Sequence, residues 1–339
     1  MKFRKVLIGL GAAALVFAAC NQANAPAPSG GGTASGGKSP EGALVQRSSI
    51  KIEVVTHGQA IDGFWGVVRN GVKAGASDMG VAVNYSAPAK ESDMVGMSQL
   101  IDAAVAKKPT GLVVSIPNPD ALSPSIQKAI AAGIPVVSMN SGSDVFKKLG
   151  ILAHVGQTEF EAGQGAGVRF KALGVKNPLC FYQEVGNQAL TLRCDGFFKG
   201  LGIDGKDKIL TGKIADPAGM QATIENTLKD PSVDGLLTLG PSVAVPALKA
   251  VASTSSKAHL ATFDLNADVL TAIKDGKMDF AIDQQQFIQG YLPIVILTQY
   301  AETRNLPTGN GDGLIMTGPG FVTKDNAADV IALAAKGLR

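Results

Sequence analysis

Two aromatic residues, Phe64 and Trp65, stand side by side in the stretch VVTHGQAIDGFWGVVRNG, directly after Asp62 and Gly63. Aromatic residues make up only 5% of the chain, and Trp65 is its single Trp. A core would turn one of two neighbours inward, and a surface would favour neither. A binding cleft accommodates both, with the Asp62 carboxylate beside them as a hydrogen-bond acceptor. The chemistry on offer is recognition rather than turnover. His57, His154 and His259 are widely separated, and no pair has metal-ligand spacing. Cys180 and Cys194 do not make a CxxC unit. No GxSxG, phosphate loop or acid/base signature appears, so neither a metal nor a cofactor is expected. GQGAG at Gly163 to Gly167 mimics a dinucleotide loop but falls inside an expected helix.

Elements of a regular kind must position such residues. From Ile50 onward, short apolar runs (IKIEVVT, GLVVSI, IPVVSM, PLCFY, DGLLTL, HLATF, DFAI) alternate with amphipathic stretches such as MVGMSQLIDAAVA and ADVLTAIKDG. Apolar runs without alternation predict strands buried on both faces, and strand–helix alternation predicts βαβ units with parallel sheets. About ten strands are too many for one comfortable sheet, so two α/β lobes are expected. Ligands of such sheets bind at the C-terminal ends of the strands. Five polar loops fall there: DGFW, NSGSD, EVGN, GPS and DLN. Turn or helix-cap chemistry explains any one of them. Five at the same kind of position point to a shared ligand.

The chain has 339 residues, 45% hydrophobic and 17% charged, a globular composition long enough for two cores. Its beginning, MKFRKVLIGLGAAALVFAAC, is a basic segment followed by an apolar run that is shorter than the ~20 residues of a spanning helix. Residues 1–19 are therefore expected to be a removable targeting segment. FAAC is similar to the bacterial lipoprotein box, which makes Cys20 a lipidation site; the alternative is an ordinary secretory signal. Either way the protein is exported. Losing Lys2, Arg4 and Lys5 takes 31 basic residues to 28, against 28 acidic ones. A neutral chain without a basic cluster argues against nucleic acid as a partner. The Gly/Ser/Ala/Pro-rich run that follows makes residues 20–49 an expected flexible tether, which would hold a soluble body near a membrane through the lipid alone.

The segments DGFWGVVRNGVKAGA, GLVVSIPNPDAL, AAGIPVVSMNSG, HVGQTEFEAG, LRCDGF, ATFDLNADVL and IDQQQFIQGY resemble, in content and order, the ribose/galactose type of periplasmic binding protein that serves bacterial ABC importers. The resemblance covers roughly residues 50 to 320. It implies a type I periplasmic binding protein fold: two doubly wound parallel-sheet lobes joined by three crossing segments near Val155, Gln284 and Leu314 to Thr317. The N-terminal lobe would be 50–155 plus 285–314, and the C-terminal lobe 156–284 plus 315–339.

The same resemblance implies a non-enzymatic, monomeric receptor that captures a monosaccharide and passes it to permease subunits. A sensory receptor, or a polyol or furanosyl ligand, is the alternative. Phe64 and Trp65 would cover an apolar sugar face, with Asp62 gripping hydroxyls. A Trp platform suits a broad pyranose face and so favours a hexose. Asn140 and Ser141 stand where ribose binders commonly have a charged Asp-Arg pair. On the second lobe Arg193, Asp264 and Gln284 match ligand-binding positions, with Asn187 in the loop before the Arg193 helix. Gly240 and Pro241 replace the family's usual Asn-Asp, so a direct contact is expected to be lost there. Glu159, lacking an evident cationic partner, is expected to face solvent. Export permits oxidation, so Cys180 and Cys194 either form a disulfide or remain buried thiols. A bridge requires Cα atoms about 4.4–6.8 Å apart.

Overall fold

A computed structural model of the chain describes residues 45–58, 62–90, 92–308 and 311–339. The targeting segment, Cys20 and most of the expected tether lie outside the described residues. Arg47–Ser49 form a 3-10 turn, and Arg47 pairs with Glu302 at 2.6 Å, so this end of the expected tether belongs to the folded body.

The chain begins a first lobe with β1 (Lys51–Val55), α1 (Gly63–Met79), β2 (Ala82–Ser86), α2 (Met94–Ala106), β3 (Gly111–Val114), α3 (Pro119–Ala131), β4 (Val136–Asn140), α4 (Phe146–Leu149) and β5 (Ala153–Gly156). It continues in a second lobe with α5 (Glu159–Ala172), β6 (Pro178–Tyr182), α6 (Gln188–Leu201), β7 (Ile209–Thr211), α7 (Pro217–Leu228), β8 (Gly235–Thr238), α8 (Pro241–Thr254), β9 (His259–Phe263), α9 (Ala267–Lys274) and β10 (Phe280–Asp283). α10 (Gln286–Thr303) and β11 (Leu314–Met316) return to the first lobe, and β12 (Gly320–Thr323) and α11 (Ala327–Ala334) to the second.

Two six-stranded sheets result, in the orders β11-β5-β4-β3-β1-β2 and β12-β10-β9-β8-β6-β7. The second repeats the first, except that β12 runs antiparallel to β10 while β11 runs parallel to β5. Every residue of β3, β4, β5, β8 and β10 is buried, as strands covered on both faces require. The edge strand β2 (AVNYS) mixes exposed and half-buried positions. The chain passes between the sheets after β5, after β10 and between β11 and β12.

One helix pair in each lobe packs backbone to backbone. A Cβ on Gly163 of α5 would run into the carbonyl of Arg193 of α6, and one on Gly196 into that of Phe160. GQGAG is therefore a helix-packing surface, in keeping with its placement inside a helix. In the first lobe, Gly71 of α1 and Gly290 of α10 meet the carbonyls of Phe287 and Val68 in the same way. Cys180 of β6 and Cys194 of α6 are joined by a disulfide, with Cα atoms 5.9 Å apart.

Candidate ligand-binding cleft

The C-terminal strand ends of both sheets face one cleft of about 430 Å³, counting the space that opens to solvent. The first lobe supplies His57, Asp62, Phe64, Trp65 and Asn140. The second supplies Gln183, Glu184, Asn187, Arg193, Pro241, Ser242 and Asp264, with Gln284 at the second crossing.

Local chemistry fixes the first group. Asp62 caps α1, its Oδ1 accepting from the Phe64 amide at 3.0 Å. Capping and cleft lining thus coincide in one carboxyl, which burial raises to about pH 6 against the opposing Phe64 hydrogen bond. Phe64 and Trp65 meet edge to face at 5.1 Å, and Trp65 also packs edge-on against His57 at 4.7 Å. Trp65 is only 2% exposed and belongs to the first lobe's core with Val54 and Val68, as well as to the cleft wall. Burial drives His57 down to about 3, with Arg193 adding to the effect, so its ring is neutral. Its Nδ1 lies 2.8 Å from Ser115 Oγ.

Asn140 ends β4 and Asp264 directly follows β9, equivalent strands of the two sheets. Both adopt left-handed backbone, with φ of 63° and 66°. Asn and Asp tolerate that region better than other non-glycine residues. Gln284 links them: its Nε2 donates to Asp264 Oδ1 at 2.7 Å and its Oε1 accepts from Asn140 Nδ2 at 3.2 Å. Gln289 Nε2 extends the network to Thr317 Oγ1 at 3.1 Å, at the third crossing.

Arg193 is fully enclosed. Its Nε donates to Glu159 Oε2 at 2.6 Å, its Nη1 lies 3.9 Å from Asp264 Oδ2, and its guanidinium sits 4.5 Å from the Phe263 ring centre. Burial works against its charge, and Glu159 and Asp264 more than offset that, leaving Arg193 above its ordinary value. Burial raises Asp264 to about 7 even with Arg193 and Gln284 pulling it down. Glu159 is 2% exposed, not solvent-facing: Arg193, one helix away on α6, is the cation its isolated position in the sequence did not reveal. Gln157 Nε2, at the first crossing, also donates to it at 3.0 Å.

Ser141 does not line the cleft. Its hydroxyl turns inward and accepts from the Ile116 amide at 3.0 Å, tying two loops of the first lobe together. Gly240 and Pro241, expected to mark a lost contact, nevertheless form part of the wall. Gln183 and Glu184 extend the expected set, Glu184 as the first residue of the EVGN loop. Glu184 Oε2 accepts from Asn187 Nδ2 at 2.7 Å and lies 3.6 Å from His57 Nε2 on the other lobe. Burial raises its carboxyl, with Asn187 and Arg193 opposing. Asn187 also caps α6 through the Ala189 amide. The lobes touch along the rim, where the Gln188 amide donates to the Pro117 carbonyl and Gln188 Nε2 to Asp144 Oδ2, each at 2.9 Å.

Residues 52–305 match the periplasmic binding protein domain. The chain belongs to that family. This periplasmic binding protein is 38% identical to a carbohydrate transporter from Acidothermus cellulolyticus solved in complex with myo-inositol; the likeness covers 86% of this chain and 99% of that one, with a TM-score of 0.80. It is 28% identical over 268 residues to the xylose/arabinose-binding protein of Sulfolobus acidocaldarius, covering 72% of this chain and 64% of that relative's length. A ribose import binding protein of Haemophilus influenzae is 25% identical over 245 residues, 68% of this chain and 79% of that relative. The family is one of extracytoplasmic solute-binding proteins, not enzymes.

Proposed function

We propose that this protein captures one small, uncharged, hydroxyl-rich ring between its lobes and delivers it to the permease of an ABC importer. The observation that carries the reading is the imbalance of hydrogen-bonding groups in the cleft. Asp62, Glu184 and Asp264 each bring a second carboxyl oxygen beyond the one bonded to the Phe64 amide, Asn187 or Gln284, whereas the one guanidinium, Arg193, is already paired with Glu159. A ligand that satisfies this lining brings many O–H donors and no negative charge of its own. Phe64 and Trp65 offer an apolar face for the C–H side of such a ring.

The sequence favours a hexose, with a polyol as the alternative. The acceptor-rich lining turns the preference towards a cyclic polyol, because a ring oxygen can only accept, and the Acidothermus relative with bound myo-inositol supports the same choice. A pyranose hexose is the second reading, supported by the aromatic pair. Asn140, Asn187, Arg193, Asp264 and Gln284 are assigned to ligand hydroxyls alongside Asp62. The protein acts as a monomer held at the membrane by a lipid on Cys20, with the two lobes divided as the crossings divide the sheets.

Calorimetry against myo-inositol, hexoses, pentoses and linear polyols tests the ligand class. Binding of an amino acid or nucleoside with silence across all of these overturns it. Cys20→Ala tests the anchor: the variant is expected in the soluble extracytoplasmic fraction, and unchanged membrane retention removes the lipid.

A further inference from the structure

The start of α8 enters the cleft without a cap. Gly240 holds the N-cap position and has no side chain to accept from the first turn, while Pro241 has no N–H. The Val243 and Ala244 amides both donate to the Gly240 carbonyl, which leaves the Ser242 amide without a partner in the helix. Ser242 lines the cleft.

Gln183 stands beside this helix end, because it follows β6 and β6 pairs directly with β8. Gln183 is 7% exposed, lines the same cleft, and its Oε1 is buried without a hydrogen-bond partner. A Cβ at residue 240 would lie 2.9 Å from Gln183 Nε2. Glycine there is what allows the Gln183 amide to extend across the start of α8. The position where a contact is expected to be lost is therefore filled by a side chain from the neighbouring strand.

We propose that Gln183 and the Ser242 amide form a subsite for a single ligand hydroxyl, which donates to Gln183 Oε1 and accepts from Ser242 N–H. The subsite rests on the reading of a hydroxyl-rich ring. Its chemistry selects among oxygens. A hydroxyl both donates and accepts, whereas a ring oxygen, an ether or a carbonyl leaves Gln183 Oε1 unpaired in a buried place. An anionic oxygen suits a helix N-terminus, yet Glu184, next in the chain, and Asp264 in the same cleft repel it. A C–H at this point leaves donor and acceptor both unsatisfied. Gln183 thus separates a hydroxylated ring from its deoxy, O-methyl and phosphorylated counterparts at one ring position.

The test is calorimetry on wild type, Gln183→Leu and Gly240→Ala with myo-inositol, D-glucose and D-galactose and their single-deoxy analogues, with folding checked by thermal melts. In the wild type, one deoxy position is expected to weaken binding about tenfold. In Gln183→Leu the parent should weaken about tenfold, and that same deoxy analogue should now bind as well as the parent. Gly240→Ala, which displaces Gln183 without altering it, should show the same collapse and keeps the test informative if the Leu variant folds poorly. Parent affinity and deoxy preference both unchanged in the two variants overturn the subsite alone. Silence of the wild type towards every probe overturns the ring-capture reading and the subsite with it.

Discussion

Glu159 and Arg193 form an ion pair in the interior of the second lobe, 2.6 Å apart, with side chains 1% and 4% exposed. One helix, α5, follows the first crossing, and the other, α6, carries the EVGN loop into the cleft, so the pair ties the hinge region to the ligand wall. Removing one member of a buried pair strands the other. Glu159→Gln is expected to lower unfolding free energy by about 3 kcal/mol in urea titrations. Unchanged stability would show that the two do not pair in solution.

Trp65 carries two roles that the sequence could not separate. As a platform alone, its loss would weaken binding and spare stability. Its place among Val54, Val68 and Leu297 in the first lobe's core makes Trp65→Ala destabilising by about 3–5 kcal/mol, with ligand affinity falling as well. Melts and calorimetry together decide. A fall in affinity with no change in melting temperature would mean that the ring contributes to the cleft and not to the core.

Asp264 gives the protein a specific pH response. Its carboxyl moves from 3.8 in the unfolded chain to about 7 in the fold. Between those values the folded chain holds a proton that the unfolded chain has released, so stability falls as pH rises through the window. Wild type should therefore lose stability relative to Asp264→Asn between pH 4 and pH 7, and the difference should level off above that. Parallel denaturation curves for the two proteins across this range would count against a buried, proton-retaining Asp264. The comparison with the Asn variant matters because His57, lowered to about 3 by burial, acts in the opposite direction over much of the same range.

Gly163→Ala places a methyl group against the Arg193 carbonyl. The helices must separate, and α6 carries both Asn187 and Arg193. A stability loss of about 1–3 kcal/mol is expected from overpacking, together with weaker ligand binding although residue 163 does not line the cleft. Wild-type affinity in a folded Gly163→Ala protein would show that α6 can shift without disturbing the wall.

The disulfide closes a loop with a sequence separation of 14 between Cys180 and Cys194. Replacing both by Ala should cost about 3 kcal/mol through the unfolded chain's regained freedom. Both sulfurs are buried, so native protein should resist alkylation in mild reductant. Rapid labelling of both cysteines without reductant would mean that they are free thiols.

The fold class was legible because buried strand segments such as GLVV and PLCF carry unbroken apolar runs, a pattern that periodicity detects. The small strands β11 and β12 were not: three or four residues of mixed burial carry no such signal. In the cleft, the loops at strand ends were visible from composition, and DGFW, EVGN, GPS and DLN all contribute to its wall. What composition cannot show is which way a side chain turns. Ser141, next to Asn140, bends into the lobe to hold Ile116. Glu159 looked unpartnered because its cation lies on another helix, brought close only by glycines that allow two backbones to touch. The role of Gln183 depends on the missing side chain at Gly240, a relationship between neighbouring strands that no single segment encodes.

Helix α10 packs Ile294 and Leu297 against Ile52, Val54 and Val68, closing a core that β1 and α1 begin. The ribosome makes β1 near the start of the body and α10 near its end, with the whole second lobe between. The first lobe therefore waits, with one face of α1 uncovered, while the second, continuous from α5 to β10, acquires most of its own core. Each half is finished only by the last stretch of the chain, the first by α10 and β11 and the second by β12 and α11. A nascent chain stalled anywhere before Gln286 would present that open apolar face to whatever chaperone or secretion factor meets it. The long-range closure that α10 supplies is also the kind that makes folding slow, which lengthens the time in which such a chain can be held in a translocation-competent state.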